Sequence, residues 1–72
     1  MHNFFVNENQ KQNNRFFING TDFNHIKNVL RMNIGDTFLV SENGISSLCT
    51  IERFETDTVI VKILEENYND TS

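Results

Sequence analysis

The chain contains a single cysteine and no proline. These two features limit the class of fold and the type of turn that it can form. Cys49 cannot form an internal disulfide, which excludes a disulfide-stapled scaffold and fits a reducing, cytoplasmic setting. With no proline to punctuate the chain, its turns must be made by glycine and asparagine. The sequence also has no apolar run of about 20 residues that could span a bilayer, and no basic-then-apolar export leader. We therefore predict one small cytoplasmic domain that does not contact a membrane.

Residue patterns typical of enzymes and metal sites are also missing. The two histidines, His2 and His25, are far apart in the sequence, and with one cysteine they match no common zinc-site spacing. No serine–histidine–aspartate or cysteine–histidine arrangement can be placed, and the P-loop, EF-hand and dinucleotide-binding patterns are absent. Cys49 lies among apolar residues, which is typical of a buried, inert thiol. We expect no catalytic, cofactor-binding or metal site in these 72 residues.

A strong excess of basic residues is missing as well. The formal net charge is −4, whereas a domain that binds nucleic acid tightly by itself usually has a pI above about 9. The charge is unevenly spread, since residues 1–36 carry four basic residues against three acidic ones, and residues 37–72 carry two against seven. Any contact with nucleic acid should therefore be weak, and it should use a local patch in the first half of the chain.

Short β-prone segments separated by polar turns make up most of the chain. Asn43-Gly44 is the clearest turn, because a type I′ hairpin needs two residues that tolerate positive φ. Residues 7–14 are polar and aperiodic, which predicts a loop. The predicted fold is mainly β, a strongly bent sheet or partly open barrel of about five strands with one short helix at one end. The expected strands are residues 4–6, 15–18, 37–41, 45–54 and 58–64.

One helix is predicted over residues 22–30 or 22–31, where Thr21 can act as N-cap and Asp22 suits the positive end of the helix dipole. At about 100° per residue, its apolar positions fall on one side and its polar positions on the other. The apolar side should pack on the sheet and consists of Phe23, Ile26, Val29 and Leu30. The polar side should face away and consists of Asn24, Lys27, Asn28 and Arg31.

Two cations are prominent on the polar side of this helix. Lys27 and Arg31 are four residues apart, a spacing at which like charges repel by a few tenths of a kcal/mol. That cost has no visible compensation and indicates an anionic partner; the alternative is a solvated helix face on which Arg31 merely suits the dipole. His25 lies at the edge of the apolar side, where a local hydrogen bond is commoner than a ligand role. Arg15 and Lys11 would join the patch only if their strand ended beside the helix.

Four of the seven phenylalanines form two doublets, Phe4-Phe5 and Phe16-Phe17. Adjacent residues in a strand face opposite ways, so each doublet should turn one ring inward and one outward. An outward ring can stack on unpaired RNA bases or pack against a second domain or subunit. Packing is the commoner fate for at least one ring of each pair.

Three segments carry a resemblance to a known family. They are Met1-His2-Asn3-Phe4-Phe5-Val6, Gly20-Thr21-Asp22-Phe23-Asn24-His25-Ile26 and Val29-Leu30-Arg31-Met32-Asn33-Ile34-Gly35-Asp36. In order and spacing they resemble the N-terminal domain of the RsmE family, bacterial methyltransferases that modify N3 of a uridine in 16S ribosomal RNA. The resemblance covers nearly the whole chain, and its most specific part is the Val-Leu-Arg run followed by the Gly-Asp turn.

The resemblance implies that residues 1–64 form a PUA-like β-barrel that helps to bind rRNA of the small ribosomal subunit. It implies that residues 65–72 begin a linker to a separate C-terminal SPOUT domain, which binds S-adenosylmethionine and forms the homodimer. This piece would then recognise rRNA without transferring a methyl group itself. Cations meet phosphates and amides meet base or sugar edges, so the expected RNA-facing residues are Lys27, Asn28 and Arg31, with Arg15 and His25 second.

Two positions depart from the family pattern, and both remove a possible donor or cation. Asn3 stands where the family usually has arginine, and Asn24 stands where it usually has the first of two histidines. Two other interpretations stay open. The barrel could be a docking module that binds a protein partner or its own catalytic domain through outward phenylalanine rings. It could instead be a free-standing small regulator, in which case the gene would stop after codon 72.

Overall fold

A computed structural model describes residues 2–68, in which six strands form one curled, half-barrel sheet. The strands are β1 (Asn3–Val6), β2 (Lys11–Gln12), β3 (Arg15–Asn19), β4 (Thr37–Glu42), β5 (Ile45–Phe54) and β6 (Thr58–Glu65). Their order across the sheet is β1-β4-β5-β6-β3-β2. β1 pairs with β4 in parallel, and the other neighbours are antiparallel. The expectation of a mainly β half-open barrel is confirmed.

The strand absent from the prediction is β2, which lies inside the expected loop of residues 7–14 together with a 3₁₀ helix (Glu8–Gln10). β2 has only two residues, and both are polar. Lys11 pairs with Phe16 and Gln12 with Arg15, so β2 exists because it borders β3. A two-residue polar strand has no alternation to detect in the sequence.

The concave face of the sheet holds the apolar core, because alternate residues of each strand point inward. Its members are Phe4, Phe16, Ile18, Ile26, Phe38, Val40, Cys49, Ile51, Val59, Val61 and Ile63. Burial raises the pKa of the Cys49 thiol from 9.0 to about 12, against a smaller opposing effect of Lys11. The thiol is therefore protonated at neutral pH and acts as a small core side chain.

The phenylalanine doublets divide between the two faces as predicted. Phe4 is 8% exposed and Phe5 is 75% exposed, and Phe16 is buried while Phe17 is half-buried. The Asn43-Gly44 turn is also confirmed, with φ of 54° and 80° at its two residues. These features depend on local geometry alone, and local geometry can be inferred from sequence.

The single α-helix predicted for residues 22–30 or 22–31 is wrong in its bounds and in its type. A short α-helix, α1 (Gly20–Asn24), is followed by a π-helix (His25–Val29). The N-cap residue is Asn19 and not Thr21, and no side chain caps the helix start. The Leu30 amide donates to the His25 carbonyl at 2.8 Å, which is the five-residue bond of a π-turn.

The π-turn changes which side chains reach the core. A π-turn holds more residues than the roughly 3.6 of an α-turn, so successive side chains advance by less than 100°. Ile26 is fully buried, and Phe23 and Leu30 pack against the core as predicted. Val29, also expected on the apolar side, is 64% exposed. The helix is thus fixed mainly by Ile26.

The predicted boundary at residues 64/65 lies within an element of the structure. β6 continues through Glu65, and the amide of Tyr68 donates to the Ser46 carbonyl at 2.7 Å. The first residues of the expected linker are therefore attached to the sheet, and residues 69–72 lie outside the described part. No helix among residues 2–68 is long and apolar enough to cross a membrane.

Candidate nucleic-acid interface

The π-helix presents its polar side chains to solvent at one end of the sheet. It follows β3 and α1 directly, and burial of Ile26 holds it against the core. His25, Lys27 and Asn28 are exposed along it, and Arg31 is exposed just beyond its end. The structure therefore brings together four of the five residues expected to face RNA.

Three of the six lysines and arginines form ion pairs that tie the outer surface of the sheet together. The Arg15 Nε lies 2.7 Å from Glu52, the Lys11 Nζ lies 3.4 Å from Glu66, and Arg53 lies between Glu52 and Glu55. The other three cations, Lys27, Arg31 and Lys62, have no carboxylate within 4.0 Å among residues 2–68. Of these three, Lys27 lies in the π-helix and Arg31 lies just beyond its end. Their charges are thus available to an external anion.

Lys27 has one local neighbour, the ring of Phe23. Its Nζ lies 5.5 Å from the centroid of that ring, within the range of a weak cation–π contact. Such a contact at an exposed site is worth about 0.5–1 kcal/mol and neutralises no charge. It orients the ammonium over the helix surface without removing it from solvent.

Arg31 ends the helical segment in a conformation that arginine rarely adopts. Its φ is 52°, in the left-handed region, which costs an L-residue roughly 1–2 kcal/mol. Glycine or asparagine is usual at this position after a helix. The Met32 amide donates to the Ile26 carbonyl at 3.0 Å and holds the turn closed. An arginine at this position therefore has a backbone cost, which the neighbouring hydrogen bonds offset.

Two amide side chains accompany the cations. Asn28 Nδ2 donates to Asn24 Oδ1 at 2.7 Å, one helical turn away. This bond uses neither the Asn28 side-chain oxygen nor the Asn24 side-chain nitrogen. Both atoms can therefore bind a further partner. The pair can offer one donor and one acceptor to a base or sugar edge.

Nearby carboxylates limit the local positive charge. Asp22 lies in the first turn of α1, and the Asp36 carboxylate accepts from the Asn33 amide at 2.8 Å in the turn before β4. Neither forms an ion pair with Lys27 or Arg31. Along the chain, the two cations Lys27 and Arg31 therefore lie between two carboxylates, Asp22 and Asp36.

Arg15 lies apart from this group, which corrects the expectation that it joins the patch. Arg15 begins β3, and the opposite end of β3, Asn19, leads into α1. The two ends are four residue steps apart, or about 13 Å at ~3.3 Å per residue. The Arg15 guanidinium is also held by Glu52. Lys11, beside it on β2, is likewise paired, with Glu66.

His2, to which the sequence analysis assigned no role, lies beside the same phenylalanine ring as His25. The ring of His25 lies 6.1 Å from that of Phe4 in an edge-on arrangement, and the ring of His2 lies 6.4 Å from the same phenyl ring. Residues 23 positions apart in sequence gave no signal of this proximity. It follows from the parallel pairing of β1 with β4, which local patterns do not reveal.

Other features of residues 2–68 offer less. An open groove of about 410 Å³ lies beside Phe17 and Ile60, and its rim carries Glu55 and Asp57. These carboxylates would repel a phosphate. No group of three or more histidines, cysteines and acidic residues that could hold a metal ion occurs among the described residues.

Comparison with known proteins agrees with this architecture. The profile of a family described as RNA methyltransferase PUA domain matches residues 18–64. A predicted RNA methyltransferase from Thermotoga maritima superposes with a TM-score of 0.77 at 24% identity, covering 92% of this chain and 29% of that one. A ribosomal RNA small subunit methyltransferase E from Neisseria gonorrhoeae, bound to S-adenosyl methionine, gives a TM-score of 0.76 at 21% identity, covering 99% and 30%.

Structural similarity at identities below 25% shows a shared fold. The chain spans about 30% of the length of the two structures. No curated protein sequence matches it. The family profile covers well over half of the chain.

Proposed function

The chain belongs to the RNA methyltransferase PUA domain family, and from this we propose that it is the rRNA-recognition domain of a ribosomal RNA small subunit methyltransferase E. The complete enzyme would transfer a methyl group from S-adenosylmethionine to N3 of a uridine in 16S rRNA in the cytoplasm. The named activity of the Neisseria gonorrhoeae neighbour and the sequence resemblance to the RsmE family support this assignment.

In this proposal the cofactor belongs to a separate C-terminal SPOUT domain, which also forms the homodimer. The groove beside Phe17 is an open surface lined by Arg53, Glu55 and Asp57, and the proposal places no cofactor there. No step of methyl transfer is therefore assigned to residues 2–68. Their task is to bind the rRNA and to orient it for the catalytic domain.

One observation carries the proposal: Lys27 and Arg31 are exposed on a helical segment fixed by the core, and within residues 2–68 neither has a carboxylate partner. Lys27 and Arg31 would contact phosphates, and Asn24 and Asn28 would contact base or sugar edges. Because the net charge of the chain is −4, we expect this binding to be weak and steeply dependent on salt.

The test compares a double variant, Lys27→Ala with Arg31→Gly, with the unchanged chain. Binding of a fluorescein-labelled 16S rRNA hairpin is followed by anisotropy from 50 to 300 mM KCl. Each lost phosphate contact reduces the slope of log K against log[KCl] by about 0.7–0.9, so a fall of about 1.5 is expected.

Lys62→Ala is the matched control. Lys62 is also exposed and also lacks a carboxylate partner among residues 2–68, but it lies on β6, in register with Arg15 on the outer face. Its loss should leave the salt slope unchanged. If the double variant binds the hairpin like the unchanged chain, or if Lys62→Ala has the larger effect, the π-helix is not the phosphate site.

A docking role is the second candidate function, and the exposure of Phe5 favours it. The ring is 75% exposed on β1, an edge strand of the sheet. In this alternative the outer face of β1 binds a protein or the catalytic domain. Backbone amide shifts on addition of the rRNA hairpin separate the two functions. Shifts confined to β1 would support docking, whereas shifts along residues 24–33 would support RNA recognition.

A further inference from the structure

We propose that His2 and His25, whose rings each lie beside the ring of Phe4, provide stacking partners for an unpaired RNA base near the proposed phosphate contacts Lys27 and Arg31. This inference rests on the proposed function and adds the class of RNA that the same site prefers, which is single-stranded. It also assigns a binding role to His2.

The position of His2 is set by the sheet. The amide of Leu39 on β4 donates to the His2 carbonyl at 2.8 Å, so the pairing of β1 with β4 begins at His2. His2 immediately precedes β1 and lies two residues before Phe4, and the centroids of the two rings are 6.4 Å apart. Phe5 points the other way and is 75% exposed on the outer face.

The ring of Phe4, the aromatic floor beside the two histidines, is held in place by the core. Phe4 is only 8% exposed, and its ring packs edge-on against the core ring of Phe38 at 5.1 Å between centroids. The exposed His2 and His25 rings lie 6.4 Å and 6.1 Å from the Phe4 centroid. A fixed aromatic floor with two exposed imidazoles costs little ordering entropy when a flat ligand binds.

His25 links the two histidines to the cations along the chain. His25 is the first residue of the π-helix that carries Lys27. The start of β1 pairs with Leu39, the third residue of β4, and β4 is the next strand after Arg31. A nucleotide whose phosphate contacts Lys27 or Arg31 can therefore place its base toward the imidazoles. Stacked duplex bases cannot reach an imidazole face, whereas splayed bases can.

The experiment measures the affinity of the whole chain, tagged at its C-terminus so that His2 keeps its surroundings. The two probes are a 12-nucleotide single-stranded RNA and a hairpin with the same number of nucleotides. His2→Ala should weaken binding of the single strand by about tenfold, the size of one lost base stack. It should change binding of the hairpin stem much less.

Two further substitutions at the same position separate stacking from charge. His2→Phe keeps a flat ring and should retain the affinity for the single strand. His2→Lys introduces a cation without a ring and should lose that affinity. Phe5→Ala, which removes an exposed ring from the other face of β1, is the matched control and should have no effect. Retention by His2→Lys together with loss by His2→Phe would overturn the proposal.

Ring-current shifts give an independent signal. The chain has only two histidines, so the imidazole protons of His2 and His25 can be followed separately while the single strand is added. Upfield shifts of both sets are expected when a base stacks on them. If the RNA binds through Lys27 and Arg31 but the imidazole protons do not move, the stacking inference fails and the proposed function stands. If neither probe binds the unchanged chain, both fail.

Discussion

At the scale of single residues, Arg31 shows that charge and backbone preference conflict at the candidate interface. No local pattern in the sequence indicated that Arg31 would take a positive φ. The left-handed turn depends on the hydrogen bond from Met32 to Ile26. Conformational strain of this kind is often found at functional positions.

Replacement of Arg31 by glycine should therefore stabilise the chain while it weakens RNA binding. Relief of the left-handed strain exceeds the entropy cost of glycine, so the free energy of unfolding should rise by about 0.5–1 kcal/mol. Urea unfolding measures this change. Lys27→Gly is the control, because glycine inside a helix lowers the stability by about 1 kcal/mol. A lower stability for Arg31→Gly would show that the arginine side chain supports the fold.

The ion pairs of Arg15 and Lys11 were also beyond sequence reasoning. Each pair joins strands that are distant in the chain, Arg15 to Glu52 on β5 and Lys11 to Glu66 beyond β6. The cation of each pair is clear from the sequence, but its partner depends on the sheet order. The sequence therefore identified the cations without separating the paired ones from the available ones.

At the scale of elements, the helix was predicted in place but not in kind. Apolar spacing found Phe23, Ile26 and Leu30 correctly, because all three pack on the core. The same spacing assigned Val29 to the core, and Val29 is exposed. A π-turn adds a residue between two points fixed by tertiary packing, and a repeat of 3.6 cannot signal that addition.

Substitutions to alanine should reveal the π-turn directly. Ile26→Ala removes a fully buried side chain and should lower the free energy of unfolding by about 2–5 kcal/mol. Val29→Ala, with the side chain largely in solvent, should change it by less than about 0.5 kcal/mol. Urea midpoints of both variants give the comparison. Similar losses at both positions would mean that the segment is a regular α-helix in solution.

At the scale of the whole molecule, the net charge opposes the proposed partner. Most of the carboxylates lie in the second half of the chain, and several of them belong to the ion pairs on the outer face. Lys27 and Arg31 therefore lie in the electrostatic field of a chain with net negative charge, which disfavours the approach of an anion. Exposed charges act over roughly a Debye length, about 10 Å at 0.1 M salt.

Neutralising carboxylates far from the π-helix should raise the RNA affinity only at low salt. Glu42→Gln with Glu65→Gln is suitable, because both residues lie at strand ends and neither forms an ion pair among residues 2–68. We expect a gain of roughly two- to threefold at 50 mM KCl that disappears at 300 mM. Anisotropy with the rRNA hairpin measures it. An equal gain at both salt concentrations would indicate a structural change instead.

The general fold was accessible from the sequence, and its long-range connections were not. Five strands, the Asn43-Gly44 hairpin and the alternation of the phenylalanine doublets all follow from local rules. β2 and the parallel pairing of β1 with β4 do not, because each depends on a partner elsewhere in the chain. The position of Phe4, which neighbours both His2 and His25, depends on that same parallel pairing.

The parallel pairing also imposes an order of events during folding. Within the described sheet, β1 pairs only with β4. Each residue of β1 pairs with a residue 36 positions further along the chain. Closing so long a loop is entropically expensive, whereas the β4–β5 hairpin can form locally. During synthesis the N-terminal strand must therefore wait until β4 has emerged. The proposed RNA-facing surface is complete only after β1 has docked on β4, so partly folded forms should be poor competitors for the ribosomal RNA.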